Sequence, residues 1–156
     1  MMKINILWIG KTRKKELASL IDDFKKRIIP LSPFEIIEIH EEKEHSKLPV
    51  EEALKREAKK ILDKVGKKGA YVILDDKGPL STSMELTKSI SNWASAHREM
   101  TFIVGSHYGI APSIKQKALA SLSLSKMTFT HEMARVILLE QIYRALTILK
   151  KIPYHK

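Results

Sequence analysis

Five short stretches of the chain hold residue types that can do chemistry. Gly105-Ser106-His107-Tyr108-Gly109 is a loop bracketed by glycines, which permit positive φ and a close backbone approach to a ligand. It is neither a Gly-x-Gly-x-x-Gly fingerprint nor a P-loop, because the spacing differs and the Lys-Ser/Thr pair is missing. Leu122-Ser123-Leu124-Ser125-Lys126-Met127-Thr128-Phe129 alternates small polar and apolar residues. As a ligand loop it would present backbone amides and carbonyls to a purine edge, with apolar walls from Leu124 and Met127. His131 stands where the last helix should open. Glu140 and Arg144 lie at i and i+4, in the order that favours an ion pair; the alternative is an arginine that grips phosphate. Tyr154-His155-Lys156 joins an aromatic ring, an imidazole and a cation, a trio able to stack on a base, exchange a proton and hold a phosphate. Each stretch also has a plain structural explanation: a strand-to-helix turn, an edge strand, a first-turn histidine, a solvated ion pair and a frayed terminus.

Composition narrows the field. The chain has 156 residues, which fits one domain able to bury roughly 70% of its unfolded surface without disulfides or metal. It has no cysteine, so thiol nucleophiles, disulfides and Cys-based zinc sites are excluded, and a reducing cytoplasm suits it. Its six histidines form no His-x-His or His-x-x-x-His pair, so no metal site is expected. The apolar start, residues 1–9, is too short for a membrane span and lacks a signal-peptide cleavage site; it reads as a strand. A formal net charge of +10 favours a polyanionic partner, nucleic acid first, over a membrane surface. Lys11, Arg13, Lys14, Lys15, Lys25, Lys26 and Arg27 make the first helix basic, and Lys67 and Lys68 add a second basic point. These are either solvated faces or phosphate contacts.

The elements that must position these residues follow from periodicity. Residues 3–9 read as a buried strand. Leu17, Leu20, Ile21, Phe24 and Ile28 recur at helical steps and predict a helix over 13–27, ended by Pro30 and Pro33. Residues 34–40 form a second strand, with Phe34 and Ile36 on one face and Ile37 and Ile39 on the other. A charged loop covers 41–47. A helix opened by Pro49 carries Val50, Leu54, Ala58, Ile61, Leu62 and Val65 on one face, until Gly66 and Gly69 stop it. Residues 71–74 form a strand buried on both faces. Thr82 and Glu85 make a capping box for a helix with Leu86, Ile90, Trp93, Ala94 and His97 on one face. A fourth strand covers 101–104, a short helix 112–120, and a fifth strand lies within 121–129. The last helix, 132–150, is marked by Val136, Ile137, Leu139, Tyr143, Leu146 and Leu149, and Pro153 ends it. Strict β-α alternation predicts an α/β fold with a parallel sheet covered by helices. Ligands in such sheets sit beyond the carboxyl ends of strands. Three loops qualify: the turn after Leu74, the 105–109 loop, and the run around 124–129.

Taken together, Phe102-Ile103-Val104-Gly105 through Gly109, the run from Ser121 to Phe129, His131, Arg135-Val136 through Glu140-Gln141-Ile142-Tyr143-Arg144-Ala145, and Pro153-Tyr154-His155-Lys156 resemble the ribosomal RNA large subunit methyltransferase H family of the SPOUT class. Length and motif order match over essentially the whole chain. The resemblance implies a single SPOUT domain over 1–156, with a carboxy-terminal trefoil knot in about 71–156. It implies S-adenosylmethionine as cofactor, a homodimer whose sites use both subunits, and no metal or membrane. The substrate it implies is 23S rRNA in the assembled ribosome, methylated at N3 of a pseudouridine in the intersubunit stem-loop.

By position, the family's cofactor contacts fall on Leu74, Gly105, Leu124, Ser125, Lys126, Met127, Thr128 and Phe129. Its RNA side falls on His131, Glu140, Arg144, Tyr154, His155 and Lys156, with His155, Tyr154 and Arg144 as the catalytic group. Relatives usually carry two adjacent glycines where this chain has Gly105-Ser106; a side chain there restricts positive φ and narrows backbone approach, so a modest change in cofactor affinity is expected. His155 is the expected proton acceptor from N3, Tyr154 a stacking surface, and Arg144 or Lys156 a stabiliser of charge on the ring. Two other classes stay open: a non-catalytic basic RNA-binding protein, and a small-molecule α/β enzyme whose charge is incidental.

Overall fold

The computed structural model describes residues 1–41, 48–66 and 69–156. The charged loop of 42–47 and the Lys67-Lys68 pair lie outside the described residues. The elements alternate as expected: β1 (Lys3–Ile9), α1 (Lys15–Ile28), β2 (Phe34–Ile39), α2 (Val50–Val65), β3 (Ala70–Leu74), α3 (Ser83–Ala96), β4 (Glu99–Val104), α4 (Pro112–Lys117), β5 (Ala120–Leu122) and α5 (His131–Leu149). The five strands form one sheet in the order β2-β1-β4-β3-β5, and every pair is parallel. All five carboxyl ends therefore lie at the same edge of the sheet. β4, β3 and β5 are neighbours, so the loops that follow them are neighbours too.

Period-two alternation divides the sheet's side chains between two cores. Ile4, Ile6, Trp8, Val72, Met100, Phe102, Val104 and Leu122 face α1, α3 and α5. Leu7, Ile9, Ile39, Tyr71, Ile73 and Ile103 face α2 and α4. The split expected in β2 is present: Phe34 and Ile36 pack with the first core, Ile37 and Ile39 with the second. The capping box also forms: the Thr82 hydroxyl accepts the Glu85 amide at 3.1 Å, and the Glu85 carboxylate accepts the Thr82 amide at 2.7 Å.

Three helix faces differ from the expected ones. Val50 is 50% exposed because it opens α2 beyond the sheet, and the buried face adds Ala53 and Glu57. Ala94 is exposed near the end of α3, where Thr87 is buried instead. In α5, Leu149 is exposed, whereas Arg135, Leu138, Ile142, Ala145 and Thr147 are buried. That helix packs against the sheet with α1 and α3 on its flanks, so no single stripe describes it. The fifth strand is also shorter than its window and ends at Leu122, leaving 123–130 as a loop.

Arg135 fixes α5 to the sheet. It is fully buried. Its Nη2 donates to the Ile9 carbonyl at 2.7 Å, its Nη1 donates to the Thr12 hydroxyl at 3.0 Å, and the guanidinium lies 4.9 Å from the Trp8 ring. Burial pushes its pKa down, and Glu132, Glu38 and Glu41 act against that; a guanidinium stays charged regardless. Glu132, one turn earlier, accepts the backbone amides of Arg13 and Lys14 at the start of α1, where a carboxylate favours the helix dipole. R135A should lose about 3 kcal/mol in urea unfolding, because the Ile9 carbonyl loses its partner and a cavity opens beside Trp8. R135K should fall between. A loss under about 1 kcal/mol for R135A would contradict this anchoring role.

Candidate active site

The loops after β4, β3 and β5 enclose a cleft of about 550 Å³, a size that suits a small organic ligand. Leu74, Asp75 and Asp76 come from the first turn; Gly105, Ser106, His107, Gly109 and Ile110 from the second; Ser123, Leu124, Ser125, Met127, Thr128 and Phe129 from the third. His131, Glu132 and Ala134 close one end from the start of α5. Seven of the eight residues assigned to a cofactor thus line one cleft: Leu74, Gly105, Leu124, Ser125, Met127, Thr128 and Phe129. Lys126 is exposed and is not among the lining residues. His131, assigned to the RNA side, lines this cleft instead.

Hydrogen bonds tie the turn after β3 to the run after β5, and the 105–109 loop is closed by its own. The Asp75 amide donates to the Leu122 carbonyl at 3.0 Å, and the Ser123 amide to the Pro79 carbonyl at 2.9 Å. The Ser123 hydroxyl reaches the carbonyls of Asp76 and Ser125 at 3.3 and 2.9 Å, and the Ser125 hydroxyl accepts the Met127 amide at 2.9 Å. Serine is useful in this run because a short hydroxyl can serve its own loop's backbone. The 105–109 loop turns back on itself, with the Gly109 amide donating to the Ser106 carbonyl at 2.8 Å. Gly109 has φ +88°, and a Cβ on Gly105 would meet the Gly109 carbonyl oxygen at 2.5 Å. Gly105 is therefore required for close approach, not for positive φ. Ser106 carries no positive φ either, so the strain expected from a side chain there is absent.

Charge at the cleft is arranged in pairs. Lys115 on α4 donates to Asp75 at 3.0 Å. Burial pushes the Asp75 carboxyl up, but the Lys115 ammonium and the Lys77 amide outweigh it and hold the group below the usual carboxylate range. His131 is pushed down, first by burial and then by the nearby Arg135 charge, so its imidazole is held neutral. At the rim, Glu41 lies 3.5 Å from Arg13 and 3.8 Å from His107. Lys115 and Glu57 were not singled out from the sequence. Lys115 gave no readable signal, but Glu57 did: it falls on the apolar face of α2, three residues after Leu54 and four before Ile61.

The remaining assigned residues form a second cluster, on α5 and the tail. Lys151 adopts φ +56°, and the Ile152 amide bonds back to the Thr147 carbonyl at 2.8 Å. The chain reverses there, so Tyr154 returns along α5 and the terminus does not fray. Glu140 Oε1 accepts Arg144 Nη2 at 2.6 Å, Arg144 Nε at 3.1 Å and the Tyr154 hydroxyl at 3.1 Å. The Arg144 guanidinium lies 4.8 Å from the Tyr154 ring, and Tyr143 meets that ring edge-on at 4.8 Å. Burial, then the bond to Glu140, raises the Tyr154 pKa, so it remains a phenol. Arg144 Nη1 lies 3.3 Å from His155 Nδ1. His155 and Lys156 are exposed.

The two clusters are apart within one chain. Glu140 and Arg144 follow His131 by nine and thirteen residues on one continuous helix. At a rise of about 1.5 Å per residue, that places them about 14 to 20 Å along its axis from the cleft. None of Glu140, Arg144, Tyr154, His155 or Lys156 lines the cleft.

Comparison with known proteins gives the family. The family model for predicted SPOUT methyltransferases matches residues 2–155. Ribosomal RNA large subunit methyltransferase H from Geobacter metallireducens is 44% identical over 155 residues, covering 99% of both chains. The proteins of that name from Malacoplasma penetrans and Geobacter sp. are 40% and 38% identical, covering 99% of this chain and 100% and 99% of their own. With the family model matching residues 2–155 and full-length relatives 38–44% identical, the chain belongs to the ribosomal RNA large subunit methyltransferase H family of SPOUT methyltransferases.

Proposed function

We propose that this chain transfers the methyl group of S-adenosylmethionine to large-subunit ribosomal RNA, at N3 of a pseudouridine in the intersubunit stem-loop of 23S rRNA in the assembled ribosome. The observation that carries this reading is the cleft: three adjacent strand-end loops meet at one edge of a parallel sheet, in a chain of a methyltransferase family. The names of the relatives support ribosomal RNA as substrate, and the +10 net charge supports a polyanion. The cytoplasm, where ribosomes work, and a carboxy-terminal trefoil knot belong to the same proposal.

The residues present fit the cofactor. Gly105 leaves no room for a Cβ and lets the backbone form the floor. Leu74, Val104, Leu122 and Leu124 give apolar walls, and the Asp75–Lys115 pair gives polar contacts. S-adenosylmethionine supplies an activated methyl carbon on its sulfonium. The chain must place N3 in line with that carbon at roughly 3 Å and keep water away. A tail about 14 to 20 Å along a rigid helix from its own cleft cannot do this. The same tail on a second copy can, which supports a homodimer with each site built from both subunits.

The tail geometry also revises the role of His155. Arg144 donates only, so the hydrogen bond at 3.3 Å uses the lone pair on His155 Nδ1 and leaves the ring proton on Nε2. In that tautomer His155 presents an N–H outward. It would donate to a uracil carbonyl and stabilise the ring as N3 loses its proton to water, rather than take that proton itself. Arg144 is committed to Glu140, Tyr154 and His155 and acts as a positioning residue.

Three measurements test these points. Labelled methyl from S-adenosylmethionine should appear in 23S rRNA of purified ribosomes and map to one pseudouridine; cofactor binding without label in rRNA would contradict the substrate. H155A should lower kcat by about tenfold to a hundredfold, the range for one hydrogen bond to developing charge, and H155Q, which keeps an N–H donor, should retain more activity. Equal losses in both would favour a base. His131 should make cofactor affinity fall only as pH drops below about 6.5, the ordinary imidazole value that this ring lies under. Its pKa is depressed, so the fold favours the neutral ring; acid places a positive charge beside Arg135 and His107, against the sulfonium, with Glu132 and Glu41 in partial compensation. H131Q should flatten that dependence, and an unchanged slope would rule His131 out as its source.

A further inference from the structure

We propose that Glu57 positions the cofactor loop, acting through Ser106; this rests on the cleft being the S-adenosylmethionine site. Glu57 lies on α2, beside Ala58 and Ile61 and only 4% exposed. A carboxylate buried there carries a desolvation penalty that an apolar residue would not. Its neighbours on that face are apolar, so packing alone does not call for an acid.

One of its contacts reaches the cleft wall. The Ser106 hydroxyl donates to Glu57 Oε2 at 3.0 Å, in a buried setting. The Ser106 hydroxyl oxygen in turn accepts the Tyr108 amide at 3.2 Å. A hydroxyl has one proton. Committing that proton to Glu57 turns the oxygen's lone pairs toward the Tyr108 N–H and fixes the rotor. The Ser106 carbonyl takes the Gly109 amide at 2.8 Å, so both polar groups of Ser106 close the 105–109 loop. Gly105 is packed against Gly109 and Ile110 with no slack, and Gly105, Ser106, His107, Gly109 and Ile110 all line the cleft. The relay Glu57–Ser106–Tyr108 therefore runs from a helix outside the cleft to the backbone of its wall. A second glycine at 106 would leave this relay without its middle member.

The test is S-adenosylmethionine affinity by calorimetry for the native protein, S106A, E57A, E57Q and the double variant E57A/S106A, with amide exchange at Tyr108 as a readout that needs no cofactor. S106A and E57A should each weaken binding about threefold to tenfold, as expected for one buried hydrogen bond, with the loss in KM for the cofactor rather than kcat. The double variant should be no weaker than the worse single one, because both changes break one relay. E57Q should stay near the native value, since its amide oxygen can accept the same proton. Tyr108 exchange should quicken in S106A and E57A alike. Additive losses, or unchanged affinity and exchange in E57A, would overturn the relay. Native protein that fails to bind S-adenosylmethionine while E57A still quickens Tyr108 exchange would refute the cofactor assignment but leave the relay as a structural latch.

Discussion

The bond pair from Arg135 to the end of β1 is the constraint on which the rest depends. It pins helix α5 by its first turns to the carboxyl edge of the sheet, with Trp8 under the guanidinium. The two clusters are then set apart by helix length. His131 is held at the cleft, and Glu140 and Arg144 are carried two to four turns away. A charge buried this deeply needs its partners, and here they are one carbonyl, one hydroxyl and one aromatic face, all from the segment 8–12. The same segment leads into α1, and Glu132 holds the amides of Arg13 and Lys14 just before that helix opens. Sheet, α1 and α5 thus share one junction.

From that junction follows the division of labour. The cleft end is built from backbone turns and small side chains, which suits a ligand recognised by shape and close approach. The tail end is built from charge-assisted hydrogen bonds: Glu140 gathers Arg144 and Tyr154, and Arg144 in turn holds His155. Such a network fixes orientation more than it adds stability. An exposed His155 beside Arg144 is placed to meet a partner surface, and it does not line the cleft of its own chain.

Much of the fold was legible in the sequence because β1, β2 and β3 keep clean strand patterns between Gly and Pro punctuation. The three loops were legible for the same reason: small residues follow each apolar run. What was not legible depended on packing. Strand order cannot be read from spacing, so the adjacency of β4, β3 and β5 comes from the structure alone. α5 misled because it is buried on most of its circumference, which hid Leu138 and Ile142 from a one-face reading. The Lys126 side chain was carried in with its loop and is exposed. Ser106 was read as a restriction on φ, whereas its hydroxyl is what matters, and its partner Glu57 lies forty-nine residues away. For the tail the sequence leaves fraying and function both open before the resemblance, and the return of Tyr154 to Glu140 shows that it does not fray.

The central claim is that a working site needs the cleft of one copy and the tail of another. Subunit complementation measures this directly. One variant carries G105V, whose Cβ would meet the Gly109 carbonyl oxygen and so distort the cleft wall; the other lacks residues 154–156. Each alone should be inactive on ribosomes. Co-expressed, they should regain about a quarter of native activity, because half of randomly paired dimers are mixed and each mixed dimer holds one intact site of two. Mixed dimers that form and bind S-adenosylmethionine yet stay inactive would contradict the claim, as would full activity in a protein that remains a monomer.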